Sequence, residues 1–225
     1  MKKLLIFDAY GTLLSTGTGS LEATKKILAL QEKEIDATTF YKDWKKYHRK
    51  HLDEANESQF ITEKDIFAKD LKDLYEQYQI QRPYEKDVEI MLESLVGRFA
   101  FPEVVEAIKK LREKYHVVIG STTDTEPLLV NLKNNGLEVD AVYTSEMIQK
   151  YKPAPMFYQY ILQAEGCKVE DTVFIGDSLI DDVEGPKSVG ITAVLVDRDS
   201  KYSKTSGVCP DYVVKCIDDI IRLNL

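Results

Sequence analysis

Leu4-Leu5-Ile6-Phe7-Asp8-Ala9-Tyr10-Gly11-Thr12-Leu13 is an apolar run that delivers one aspartate into a glycine-containing turn. Leu4 to Phe7 suits a strand buried on both faces, as in a parallel sheet, and Gly11 permits the sharp exit that leaves Asp8 at the strand's carboxyl end. Ligands of open parallel sheets gather at that edge. An isolated aspartate in such a turn more often caps it than performs chemistry. The role of Asp8 therefore depends on the other strand ends.

Working outward, 225 residues suffice for one large domain, or for a core domain carrying a smaller insertion. The formal net charge of -8 argues against nucleic acid or an anionic membrane as the main partner. Cys167, Cys209 and Cys216 lack any paired zinc spacing, and Met1-Lys2-Lys3 runs directly into the first strand rather than into a signal peptide. A cytoplasmic protein with reduced thiols is the expectation. His48 and His51 can share a helix face, but no further His or Cys nearby completes a metal site.

A polar stretch, Ser15-Thr16-Gly17-Thr18-Gly19-Ser20, follows the first strand and reads as a hinge. From Leu21 to Phe99 the spacing is helical throughout, with stripes at Tyr41, Trp44, His48 and Leu52, at Phe67, Leu71, Leu74, Tyr75 and Tyr78, and at Val88, Leu92, Leu95, Val96 and Phe99. Thr62 with Asp65 marks one helix start and Arg82-Pro83 another boundary, so about four helices fit here. Beyond Phe101-Pro102 helices and strands alternate. Val117 to Ile119, Val139 to Tyr143, Val173 to Ile175, Thr192 to Val196 and Tyr212 to Val214 read as strands. The predicted architecture is α/β: a doubly wound, Rossmann-like parallel sheet made from residues 1–15 and 100–225, interrupted by a helical bundle over residues 16–99.

Three more segments carry polar groups at strand ends or in the loops beyond them: Ser121-Thr122-Thr123-Asp124, Lys152-Pro153, and Gly176-Asp177-Ser178 with Asp181-Asp182. A parallel sheet puts its carboxyl ends on one edge, so Asp8, Ser121 and Asp177 are expected to meet there, within reach of Lys152.

These segments, in this order, resemble the haloacid dehalogenase-like hydrolase superfamily across nearly the whole chain. The resemblance implies that Asp8 is a nucleophile, that Ser121 is a hydroxyl donor, and that Lys152 is the lysine of the third motif. It also implies Mg²⁺ held by Asp8, the Tyr10 backbone carbonyl and Asp177, with Asp182 in support, and it casts the helical insertion as a cap domain. Substrate contacts are expected from Thr12, Tyr10, Thr122 and Lys45. The residue types suit the chemistry: a carboxylate can attack phosphorus or carbon to give a covalent intermediate that water cleaves. Two carboxylates brought close together need a hard cation between them.

The chain departs from that family's phosphatases at Tyr10, where they carry a second aspartate as acid and base. A positioned acid-base group contributes about 10² to 10⁴ in rate. Asp-Ala-Tyr-Gly-Thr-Leu is instead similar to the first motif of (S)-2-haloacid dehalogenases, which need neither a proton on the leaving halide nor a metal. Those enzymes have neutral Ser and Asn where this chain has Asp177 and Leu179, and an arginine after the cap tryptophan where Lys45 follows Trp44. A phosphonatase-like hydrolase with a cap lysine is a third possibility, since Lys42, Lys45, Lys46 and Arg49 share a helix face that otherwise reads as solvated. The leading expectation is a Mg²⁺-dependent phosphatase of a small anionic metabolite, with the haloacid dehalogenase as runner-up and a slow, ligand-binding relative as a further alternative. Nucleic acid and membrane are not expected as partners, and the oligomeric state is open.

Overall fold

In the computed structural model, which describes residues 2–202, 207–223 and 225, the first strand, β1 (Leu4–Phe7), is buried at every position. Its neighbours explain why. The strands β2 (His116–Ser121), β3 (Ala141–Thr144), β4 (Thr172–Gly176), β5 (Thr192–Val196) and β6 (Tyr212–Val214) join it in the order β3-β2-β1-β4-β5-β6. Every pairing is parallel, with Phe7 opposite Ile119 on one side and Ile175 on the other. The predicted α/β class and doubly wound sheet are thus what the described residues form, with β3 starting two residues later than the apolar run implies. Because β1 lies where the chain switches from one half of the sheet to the other, the crevice beyond its carboxyl end is where a ligand site belongs.

Strand alternation divides the core into two layers. Leu5, Phe7, Val117, Ile119, Val173 and Ile175 pack against α5 (Val104–Lys114), α6 (Thr125–Asn134) and α10 (Ile217–Arg222). Leu4, Ile6, Val118 and Phe174 face the other way, onto Phe157, Tyr158 and Ile161 of α8 (Pro155–Glu165). The strand patterns say nothing about α8; it is helical because Pro155 occupies its first turn and Gly166, in the left-handed conformation, ends it.

The chain divides into two compact units, Met1–Ser15 with Phe99–Leu225, and Thr16–Arg98. The second is built from α1 (Gly19–Ala29), α2 (Ala37–Glu57), α3 (Glu63–Tyr78) and α4 (Glu85–Leu95) around Phe40, Trp44, Leu71, Leu74, Val88 and Met91. Asp36 and Thr62 cap α2 and α3 by accepting from the Thr39 and Asp65 amides.

The two histidines of α2 have a structural role in this unit. The buried carboxylate of Asp70 on α3 accepts from Trp44 Nε1 at 3.0 Å and lies 2.7 Å from His48 Nδ1 and 2.6 Å from His51 Nδ1. The other nitrogen of His51 lies 3.1 Å from Asp73. Burial alone would lower the His48 pKa, but the bond and charge of Asp70, with Glu63 adding to them against Arg49, raise it overall. A raised folded-state value means that His48 contributes its full stabilisation below about pH 6.5, its unfolded value, and loses it as pH climbs through the folded one. The stability gap between the parent and His48→Gln should therefore narrow from pH 6 towards pH 9 in urea titrations. A gap constant with pH would refute the pairing.

Candidate active site

The turn after β1 is tightly wound. Leu13 and Leu14 amides return to the Ala9 carbonyl, the Gly11 amide donates to Leu14, and Gly11 adopts φ +99°. A Cβ at Gly11 would lie 2.5 Å from a carboxylate oxygen of Asp177, so glycine is needed here for both conformation and space. Beside it Thr12 is fully buried, and its hydroxyl donates to Asp177 Oδ1 at 2.9 Å. Thr12, expected as a substrate contact, thus holds a carboxylate in place.

After β4 the backbone enters a π-type turn, Leu179–Glu184. The Ser178 hydroxyl accepts from the Asp181 amide, and Asp182 Oδ2 accepts from the Ser178 amide at 2.9 Å. A Cβ at Gly176 would meet Asp182 Cγ at 2.2 Å, so the strand end makes room for that buried side chain. Lys152 reaches in from the turn before α8. Its ammonium donates to Asp8 Oδ1 and to Asp182 Oδ1, both at 2.7 Å, and lies 5.2 Å from the centre of the Phe174 ring.

The result is a cavity of about 160 Å³ lined by Asp8, Tyr10, Ser121, Thr122, Lys152, Asp177, Ser178, Asp181 and Asp182. Asp8, Asp177 and Asp182 each present an oxygen within 4.8 Å of the others. Asp8 Oδ2 and Thr122 Oγ1 are buried without a hydrogen-bond partner. The Asp8 carboxyl is pushed up to about 8, first by burial and then by the charges of Asp182 and Asp177, against the pull of Lys152. That of Asp177, exposed as a residue, is pushed up to about 6 by desolvation of its carboxyl and by the charge of Asp182. Lys152 is held firmly charged, because Asp182 and Asp8 outweigh its burial.

Two polar contacts behind this cavity have no local sequence signal. Tyr10 turns its hydroxyl to α6, where it accepts from the amide of fully buried Asn131 at 2.9 Å. Tyr158 on α8 donates to the Asp181 carbonyl at 2.5 Å, pinning the π-type turn. Lys45 belongs to α2 of the helical unit, exposed, with its ammonium 5.1 Å from the Tyr41 ring centre. On the same helix Lys46 pairs with Asp43 and Arg49 with Asp53.

In a doubly wound sheet, an acidic, lysine-centred edge at the switch point is where a Rossmann-like core carries its ligand site. The chain belongs to the haloacid dehalogenase-like hydrolase family, which it matches over residues 2–190. It is 29% identical over 126 residues to haloacetate dehalogenase H-2 of Moraxella sp. strain B, covering 55% of this chain and 56% of that protein. It is 28% identical over 126 residues to pyrophosphatase PpaX of Halalkalibacterium halodurans, covering 53% and 57%. The chain thus spans little more than half the length of these relatives. The L-2-haloacid dehalogenase structure from Xanthobacter autotrophicus shares the fold, with a TM-score of 0.81 over 99% of this chain and 98% of that one, at 18% identity. No helix among the described residues is long and apolar enough to cross a membrane.

Proposed function

We propose that this hydrolase is a Mg²⁺-dependent phosphatase of small phosphorylated metabolites, working through an aspartyl intermediate on Asp8. The observation that carries the reading is the convergence of Asp8, Asp177 and Asp182 within 4.8 Å, with Lys152 the one basic residue among those lining the cavity. Carboxyl groups pushed upward by burial and then by their mutual repulsion, together with the unpartnered Asp8 Oδ2, fit a hard divalent cation. Asp8, the Tyr10 carbonyl and Asp177 would hold it. Asp182 supports them, since one of its oxygens accepts from Lys152 and the other from the Ser178 amide. When bound, the ion neutralises the carboxylates and polarises the phosphoryl oxygens.

In this reading Asp8 attacks phosphorus, and Lys152, fixed between Asp8 and Asp182, stabilises charge on the transferred group. Ser121 and Thr122 donate to its oxygens; the unpartnered Thr122 hydroxyl fits that task. In this reading the helical unit over residues 16–99 is the cap domain, with Lys45 on its α2.

Tyr10 favours a second reading, haloacid dehalogenase, because a halide leaves without a proton. A panel of aryl phosphates, phosphonoacetaldehyde and 2-chloropropionate, run with Mg²⁺ and with chelator, separates the readings. Phosphate release that requires Mg²⁺ is the expected result. Chloride release insensitive to chelator overturns it, and thermal stabilisation by these compounds without turnover identifies a binding protein.

A further inference from the structure

Resting on the phosphatase reading, we propose that this site takes phosphoryl donors whose leaving group departs as a stabilised anion, such as acyl phosphates, phosphoanhydrides or aryl phosphates, and discriminates against alkyl phosphates. An alkoxide needs a proton as it leaves, from a group within about 2.6–3.2 Å of the bridging oxygen. Lys152, Asp182 and Asp177 of the cavity lining are held by other partners. Lys152 bridges Asp8 and Asp182, the second Asp182 oxygen takes the Ser178 amide, and Asp177 accepts from Thr12.

Tyr10, two positions after Asp8, lines the cavity, but its hydroxyl is tied to Asn131 on α6. Asp181 is the remaining carboxylate of the lining, and its backbone is pinned at both the amide, by Ser178, and the carbonyl, by Tyr158.

The first step then needs no proton from the protein. An Asp8 oxygen forms a bond to phosphorus, the bond from phosphorus to the leaving oxygen breaks, and its electron pair departs as a carboxylate, phosphate or phenolate. In the second step water attacks the same phosphorus and the Asp8–phosphorus bond breaks. That returns the carboxylate and releases inorganic phosphate, with the water's proton passing to solvent. With the Tyr10 hydroxyl held by Asn131, no positioned base activates that water, so the aspartyl phosphate is the species that accumulates.

The test is a leaving-group series on the full chain with Mg²⁺: acetyl phosphate, 4-nitrophenyl phosphate, phenyl phosphate and glycerol phosphate. We expect kcat/KM to fall by about 10²- to 10⁴-fold from the acyl to the alkyl donor. Fast donors should share one kcat, and 4-nitrophenolate should appear in a burst of one equivalent per chain. Tyr10→Asp should raise the alkyl rate selectively. Glycerol phosphate cleaved within about tenfold of acetyl phosphate overturns the inference while sparing the phosphatase reading. Selective loss of alkyl turnover in Asp181→Asn also overturns it, by naming Asp181 as the acid. Phosphate release from none of the four donors overturns the phosphatase reading itself.

Discussion

Asp8→Asn is expected to reduce turnover by at least about 10⁴-fold while the protein stays folded, because an amide cannot form the covalent intermediate. The fold should tolerate the change. The Asp8 carboxyl is pushed up to about 8, so its buried charged form already works against the folded state. An asparagine removes the group that resists ionising there, and Lys152 keeps its 2.7 Å bond to Asp182. Thermal melting at neutral pH should accordingly show a Tm that holds or rises, with activity absent on every substrate of the panel. Retained activity in Asp8→Asn would rule out the covalent mechanism. A Tm loss of many degrees would show Asp8 to be a structural member of the ion cluster rather than a destabilised functional one.

The second large effect concerns Asp177. Asp177→Asn should raise the Mg²⁺ concentration needed for half-maximal rate by well over tenfold, since even groups that merely support a ligand typically change metal affinity by about 10- to 100-fold. Saturating Mg²⁺ should recover part of the rate, which distinguishes a ligand from a nucleophile. Thr12→Val, which removes the bond to Asp177 Oδ1, should shift the same titration in the same direction by a smaller factor. A chelator-treated parent as active as the Mg²⁺-loaded one would exclude this role for Asp177.

The sequence made the strand ends legible because a parallel sheet converts a one-dimensional pattern into one edge. An apolar run followed by a polar cluster locates Asp8, Ser121 and Asp177 without any knowledge of side-chain packing. What stayed hidden depends on contacts between elements distant in the chain. No spacing marks Asn131, yet its side-chain amide donates to the Tyr10 hydroxyl. No spacing marks Tyr158 either, yet its hydroxyl donates to the Asp181 carbonyl. His48 and His51 show their shared face in the sequence, but their partner Asp70 is on another helix, so spacing alone does not supply the carboxylate. Gly11 was recognisable as a turn glycine. That its missing side chain makes room for Asp177 was not, because the two meet only across the sheet edge.

The position of β1 between β2 and β4 also sets when the sheet can be completed. Leu4 must find His116 on one side and Thr172 on the other. A ribosome adding about 5–20 residues per second leaves this wholly apolar strand without either partner for on the order of ten seconds. During that wait the helices over Thr16–Arg98 can complete their own contacts, which are close in sequence and quick to form. The segment that carries Asp8 thus emerges well before its strand partners and is among the last to be secured. Slow, non-local pairing of Leu4–Phe7 makes the nascent chain, more than the finished enzyme, the state in which aggregation competes with folding.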